Sequence, residues 1–103
     1  MFKINKYFNG DVVSIAFQTE TLPATVGVMK AGQYDFGTTD KETMTVVSGK
    51  LKVKLPGSKD WQTYSVGEQF IVEANQNFVV KTAVETAYFC TYIKESKKKV
   101  LKK

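Results

Sequence analysis

The chain has 103 residues, of which 43% are hydrophobic and 13% aromatic. This length suits one domain with a single core, and this composition excludes an intrinsically disordered chain. The net charge of +5 derives from fifteen lysines without any arginine, and six of them end the chain, at Lys94, Lys97, Lys98, Lys99, Lys102 and Lys103. Because the remainder is nearly neutral, the charge predicts a solvated tail over 94–103 and no nucleic-acid-binding face.

Hydrophobic and polar residues alternate along most of the chain, with the period of β-strands. The clearest segment is KLKVKL (50–55), in which apolar residues and lysines alternate as in a half-buried strand. The pattern predicts eight or nine short strands, at 11–17, 24–30, 33–36, 42–48, 50–55, 61–65, 68–73, 77–83 and 86–93. Such spacing is typical of a sandwich or closed barrel. We therefore predict one all-β domain over 1–93, without a convincing amphipathic helix.

Cysteine content and hydropathy indicate a compartment. The only cysteine, Cys90, has no partner for an internal disulfide. The chain shows neither a leader-like apolar segment at its start nor an apolar run of the ~20 residues that a membrane helix needs. We therefore expect a cytoplasmic protein without membrane contact.

The segment GQYDFGTTDKETMTVVSG (32–49) has the glycine and glutamate spacing of a known metal-binding motif, yet the chain contains no histidine. The order of predicted strands along the whole chain resembles the cupin fold, a small jelly-roll barrel. Thr38 and Asp40 occupy the places of the two histidines of the first cupin motif, and Glu42 occupies the place of its glutamate. In the second motif, which begins at Gly67, Phe78 occupies the place of the third histidine. This set cannot form an imidazole-type site. Its two acids and one hydroxyl are the ligand types of a hard cation, which is the alternative, but we expect no metal.

A closer resemblance covers residues from about 5 to 93. The stretches that carry it include YFNGDVVSIAF (7–17), ETMTVVSG (42–49), DWQTY (60–64) and YFCTY (88–92). They are similar to the pyrimidine/purine nucleoside phosphorylases, a family of small cupin-fold proteins. The resemblance implies a jelly-roll barrel and phosphorolysis of many ribonucleosides to the free base and ribose 1-phosphate. It also implies inorganic phosphate as co-substrate, no cofactor, and a homodimer.

One departure from the family concerns phosphate binding. Where family members have Cys-Arg-Tyr, this chain has Cys90-Thr91-Tyr92. If the arginine of the relatives enters the barrel to bind phosphate, the side chain of Thr91 enters it too. Other candidate donors are the Thr38 hydroxyl and loop N–H groups near Gly32. Lys30 and Lys81 are the nearest lysines in the sequence, although the alternation turns Lys81 outward.

Glu42 is the predicted catalytic residue. It shares a strand face with Met44 and Val46, which places it at the mouth of the barrel. A carboxylate there binds ribose hydroxyls or stabilises the positive charge that builds on the sugar. The alternative interpretation is an ordinary surface glutamate at the start of a strand.

The predicted substrate-binding wall is apolar. Aromatic rings accept purines and pyrimidines alike, because every base offers a stacking face. The alternative is that most of these rings fill the core, and Cys90 is interpreted as a small buried residue. The candidates are Tyr34, Phe36, Met44, Phe70, Phe78 and Phe89, with Thr38 and Thr91 as polar members.

Two other functional classes stay open at this point. The main rival is a non-enzymatic small-molecule-binding protein on the same fold, which has lost the phosphate site together with the arginine. A nucleic-acid-binding module fits the net charge but not its distribution along the chain.

Overall fold

The computed structural model describes residues 1–94 and is built almost entirely of strands. The ten strands are β1 (Lys3–Tyr7), β2 (Val12–Gln18), β3 (Pro23–Met29), β4 (Gly32–Gly37), β5 (Lys41–Ser48), β6 (Lys50–Lys54), β7 (Gln62–Ser65), β8 (Gln69–Val72), β9 (Asn77–Thr82) and β10 (Thr86–Ile93). A short 3₁₀ turn, Phe8–Gly10, joins β1 to β2. No helix in the described residues is long and apolar enough to cross a membrane.

All nine predicted strands are confirmed, and β1 is the strand that the alternation missed. Both faces of β1 are largely exposed, so its sequence KINKY shows no alternation of buried and exposed residues. Antiparallel pairing with β2 holds this segment in the sheet. Apart from Lys94, the predicted lysine-rich tail and any helix in it lie outside the described residues.

The strands form two antiparallel sheets. The larger sheet has six strands in the order β1-β2-β3-β10-β5-β8, and the smaller has four in the order β4-β9-β6-β7. The prediction of an all-β domain is confirmed, but hydrogen bonds do not close the two sheets into one continuous barrel.

The core lies between the sheets. Met29 and Val46 come from the larger sheet, Leu51 and Val80 come from the smaller one, and all four are buried in one cluster. The alternation in 50–55 is confirmed, because the lysines of β6 face away from this core. Each sheet therefore has one face toward the core and one outer face.

Candidate functional site

A cavity of about 370 Å³ opens between the two sheets. The larger sheet contributes Ser14, Glu42, Met44, Tyr88 and Tyr92, and the smaller sheet contributes Phe36 and Phe78. Tyr7 and Phe8, at the junction of β1 and the 3₁₀ turn, complete one rim together with Thr39. The cavity thus combines a polar wall on one sheet with an aromatic wall on the other.

Glu42 is a carboxyl group that faces into this cavity. Strand alternation on β5 turns it to the same side as Met44 and Val46, which are both buried. Burial raises the pKa of the Glu42 carboxyl to about 7, and the charge of Asp40 adds to the effect. The Cys90 thiol opposes this rise by donating a hydrogen bond to Glu42 Oε1 across 3.6 Å. Glu42 is therefore poised between its charged and neutral forms near pH 7.

Two tyrosines of β10 flank Glu42. Tyr92 is its direct cross-strand partner, and the Tyr92 and Thr25 hydroxyls hydrogen-bond at 2.9 Å. Burial is the largest cause that raises the pKa of both phenols, that of Tyr88 to about 12. Both side chains therefore stay neutral at physiological pH and keep an O–H group to offer a ligand.

A glycine makes room for Tyr88. Gly27 on β3 is the cross-strand partner of Tyr88, and a Cβ atom at this position would collide with the Tyr88 ring. The ring therefore crosses the β3 backbone at a distance that only glycine permits. This contact fixes the Tyr88 ring against the cavity wall.

Phe8 closes the rim in an unusual backbone conformation. Its φ is 54°, and the next residue, Asn9, has a φ of 58°. The left-handed region is uncommon for a bulky residue and carries strain. The Phe8 ring packs against Tyr34 and Phe36, with ring centroids 5.0 and 5.5 Å apart. These aromatic contacts hold the strained turn in place.

Four of the predicted site residues line this cavity, namely Phe36, Glu42, Met44 and Phe78. Tyr34 and Phe70 are instead core residues behind the wall. The Tyr34 hydroxyl donates to the Lys30 carbonyl at 2.7 Å, and the Phe70 ring packs on Tyr64 and Phe78.

Thr38 has a structural position. Its buried hydroxyl donates to the Glu73 carbonyl at 2.7 Å and accepts the Gln76 N–H at 3.0 Å. These bonds join the loop after β4 to the loop before β9. The next residue, Thr39, is the threonine that reaches the cavity.

Phe89 and Thr91 do not enter the barrel. Residues of β10 alternate in burial, with Tyr88 and Cys90 buried and facing the core. Phe89 and Thr91 therefore face the outer side of the larger sheet, where Phe89 packs on Phe17. The expectation that Thr91 faces the interior is wrong, because the two faces of one strand cannot both point inward.

The structure adds residues that the sequence analysis left out of the site. Ser14, Tyr88 and Tyr92 line the cavity, as do the rim residues Tyr7, Phe8 and Thr39. Tyr88 and Tyr92 share a face of β10 with Cys90, and this spacing indicates that both tyrosines lie on the inner side of the strand. For the others no local pattern distinguishes a cavity residue from a surface residue. Within residues 1–94, no three acidic or cysteine side chains cluster as metal ligands.

Comparisons with known structures identify the fold. A protein of unknown function from Vibrio parahaemolyticus superposes with a TM-score of 0.86 at 47% identity, over 90% of this chain and 99% of that one. A putative ethanolamine utilization protein from Salmonella typhimurium has a TM-score of 0.69 at 12% identity, covering 89% of this chain and 93% of that one. The Fe(II) form of HppE has a TM-score of 0.72 at 13% identity, covering 89% and 56%. The last two are cupin-fold proteins and show the fold alone, which confirms the predicted class.

Sequence comparisons identify the family. Residues 2–92 match the model of a protein family described as pyrimidine/purine nucleoside phosphorylase. A protein of that name from Alcanivorax borkumensis is 64% identical over 92 residues, covering 89% of this chain and 98% of that protein. Another from Magnetococcus marinus is 64% identical over 92 residues, covering 89% and 99%. The chain belongs to the pyrimidine/purine nucleoside phosphorylase family.

Proposed function

We propose that this protein is a nucleoside phosphorylase. It cleaves purine and pyrimidine ribonucleosides with inorganic phosphate, giving the free base and ribose 1-phosphate, without a cofactor. Family membership supports the activity. The observation that ties it to a place in this chain is Glu42, a half-buried carboxyl group with a raised pKa that faces an aromatic wall in a cavity between the sheets.

The arrangement of the cavity suits this reaction. The rings of Phe36 and Phe78 stack against each other with centroids 5.7 Å apart, and they offer apolar faces to a base. Glu42 in its charged form binds ribose hydroxyls and stabilises the positive charge that develops on the sugar as the base leaves. Tyr92 and Tyr88 beside it are neutral hydrogen-bond donors.

Phosphate binding rests on hydroxyl groups. None of the described residues that line the cavity is a lysine, and the chain has no arginine. We assign the phosphate contacts to the Ser14, Thr39 and Tyr88 hydroxyls. Uncharged donors bind a dianion less strongly than a cation does, so we expect a high phosphate KM.

The direct test is release of free base. The protein is incubated with uridine or adenosine, with and without phosphate, and the products are separated by chromatography. The proposal requires base and ribose 1-phosphate to appear only with phosphate. The rival, a binding protein without activity, predicts nucleoside binding by calorimetry and no base release even in excess phosphate. The lack of a lining lysine is the observation that favours the rival.

We propose a homodimer that pairs through the outer face of the larger sheet. Ile15, Val26, Val28 and Ile71 on this face are 43–52% exposed, and exposed apolar side chains gathered on one face are typical of an interaction surface. Val26→Lys is expected to give a monomer by light scattering coupled to gel filtration. Val66→Lys, at an equally apolar exposed position in the turn after β7, is the control and should leave the dimer intact. A wild-type monomer at micromolar concentration would contradict the proposal.

We further propose the cytoplasm as the compartment. Cys90 is a buried free thiol within the described residues, in keeping with a reducing environment. Fractionation of the producing cells, followed by immunodetection, tests this directly. Recovery of the protein outside the cytoplasmic fraction would contradict it.

A further inference from the structure

A second depression lies on the outer face of the smaller sheet, away from the cavity that holds Glu42. Its volume is about 610 Å³. Lys50, Lys52 and Lys81 line it, and its apolar part comes from Ala83 and Val84. We call the surface formed by these three lysines with Ala83 and Val84 the outer lysine patch. Lys81 and the buried Val80 have opposite parity on β9, so the patch and the core lie on opposite sides of the sheet.

Strand register lines up the polar groups of this patch. Gln33 pairs with Lys81 between β4 and β9, and Lys81 pairs with Lys52 between β9 and β6. Lys52 in turn pairs with Thr63 on β7. The four side chains therefore form one row across the whole sheet. Side chains of direct cross-strand partners start roughly 5 Å apart, so Lys52 and Lys81 can contact one anionic group together.

This pairing of two lysines is unfavourable by itself. Like charges on directly opposed residues destabilise a sheet. No carboxylate of the described residues forms an ion pair with Lys50, Lys52 or Lys81. Lys52 and Lys81 are therefore cross-strand partners without a carboxylate partner among the residues that the structure describes.

Trp61 orients part of the patch. The Lys81 ammonium lies 4.2 Å from the centroid of the Trp61 ring, and the Lys54 ammonium lies 5.0 Å from it. Such contacts restrict a flexible lysine side chain to a small part of its conformational range. Lys81 is accordingly half-buried, whereas Lys52 is exposed. Binding costs less side-chain entropy when one of the two lysines that contact the ligand is already ordered.

We propose that the outer lysine patch binds a small molecule that carries a polyphosphate group, with the phosphates held between Lys52 and Lys81. Lysine binds phosphate as a point charge, which suits adjacent phosphates better than a single planar carboxylate. The volume of the depression lies in the range of small-molecule sites. Ala83 and Val84 offer an apolar surface to an organic group attached to the phosphates.

The experiment compares two double variants of the full chain by calorimetry at low and moderate salt. Lys52→Gln with Lys81→Gln removes the pair. Lys3→Gln with Lys6→Gln, on the exposed strand β1, makes the same change in net charge elsewhere. The probes are inorganic tripolyphosphate and ATP, whose comparison shows whether an organic group adds affinity. A single-stranded DNA oligonucleotide serves as the competing class of ligand.

We expect saturable binding of one tripolyphosphate per chain, weakened at least ~10-fold by the Lys52/Lys81 variant and less than ~2-fold by the control. Both variants should keep the phosphate KM of any base-releasing activity, because the patch faces away from Glu42. Equal weakening by both variants would overturn the proposal, since it would show only a diffuse charge effect. Tighter binding of the oligonucleotide than of ATP, or a raised phosphate KM in the Lys52/Lys81 variant alone, would also overturn it. The binding result stands or falls independently of whether the protein releases base.

Discussion

At the scale of single residues, the chemistry of the candidate site depends on Glu42 and the groups in contact with it. Burial raises the pKa of its carboxyl to about 7, and the Cys90 thiol holds it lower than burial alone would. A half-buried acid is costly for folding, because the charged form loses hydration. Such a cost is common where a function requires the group.

The first prediction concerns this cost. The pKa of Glu42 in the folded protein, about 7, exceeds its ordinary value of 4.5. Between these pH values the folded state holds a proton that the unfolded state lacks, so the free energy of unfolding falls as pH rises from about 4.5 to about 7. Glu42→Gln carries no charge and should exceed the wild type in stability at pH 8, by about 1–2 kcal/mol after allowance for partial exposure, and less so at pH 5.

Thermal unfolding of both proteins at the two pH values measures this difference, with Glu85→Gln as an exposed control. Turnover of Glu42→Gln should meanwhile fall by ~10²-fold or more. A variant with wild-type turnover would remove Glu42 from the mechanism. A stability difference that does not grow with pH would contradict the raised pKa.

The second prediction isolates Cys90. Its thiol donates to Glu42 and lowers the pKa of that carboxyl. If charged Glu42 is the active form, activity rises with pH through about 7, and Cys90→Ala should move this rise to higher pH. Cys90→Ser keeps a hydroxyl donor and should restore the wild-type profile. A loss of core packing alone would lower stability without moving the pH profile, so an unmoved profile contradicts the hydrogen bond.

At the scale of elements, the two faces of β10 belong to two different surfaces, the cavity and the outer face of the larger sheet. Tyr88, Cys90 and Tyr92 face the cavity, whereas Phe89 and Thr91 face outward with the apolar side of the larger sheet. A single strand thus contributes to the candidate active site and to the proposed dimer surface. The alternation of strand side chains is the physical reason, and it leaves no route for Thr91 to the cavity.

The third prediction tests how β3 supports β10. Gly27→Ala places a methyl group where the Tyr88 ring lies. The expected loss of stability is about 1–3 kcal/mol, as for overpacked sites, and turnover should fall because Tyr88 moves within the cavity wall. In a Tyr88→Ala background the same change should cost little, because the ring is absent. Additive effects in this double-mutant cycle would contradict the contact.

At the scale of the whole molecule, two sheets enclose one core and present three distinct surfaces. The cavity lies between the sheets, the apolar face lies outside the larger sheet, and the outer lysine patch lies outside the smaller one. The proposed dimer covers the apolar face and leaves the cavity and the outer lysine patch accessible. The cupin fold thus accommodates these surfaces without any helix in the described residues beyond the 3₁₀ turn.

The fourth prediction concerns the metal content of the whole protein. Phe78 offers no ligand atom, and the Thr38 hydroxyl is hydrogen-bonded to the backbone. Elemental analysis of untagged protein should therefore find zinc, iron and manganese far below one equivalent, and a chelator should leave activity unchanged. One equivalent of a metal, or activity lost to chelator and restored by one metal, would contradict the prediction.

Much of this protein is predictable from the sequence alone. Nine strands were located because alternation of apolar and polar residues is a local property of a half-buried strand. The same alternation placed Glu42 beside Met44 and turned Lys81 outward, as the structure shows. The resemblance in 7–17, 42–49 and 88–92 identified the family. Among the strands of the described residues, only β1 is not predicted by the alternation, because neither of its faces is buried.

Tertiary structure decided which residues meet. The contact between Cys90 and Glu42 joins positions 48 residues apart, and the pairing of Lys52 with Lys81 depends on the register between β6 and β9. Register follows from the packing of the whole core, and a shift by one residue would exchange the faces of a strand. Local alternation tells on which side of its strand a residue lies, but only the packed sheets decide its neighbours, and those neighbours raise the pKa of Glu42 and gather the lysines into one patch.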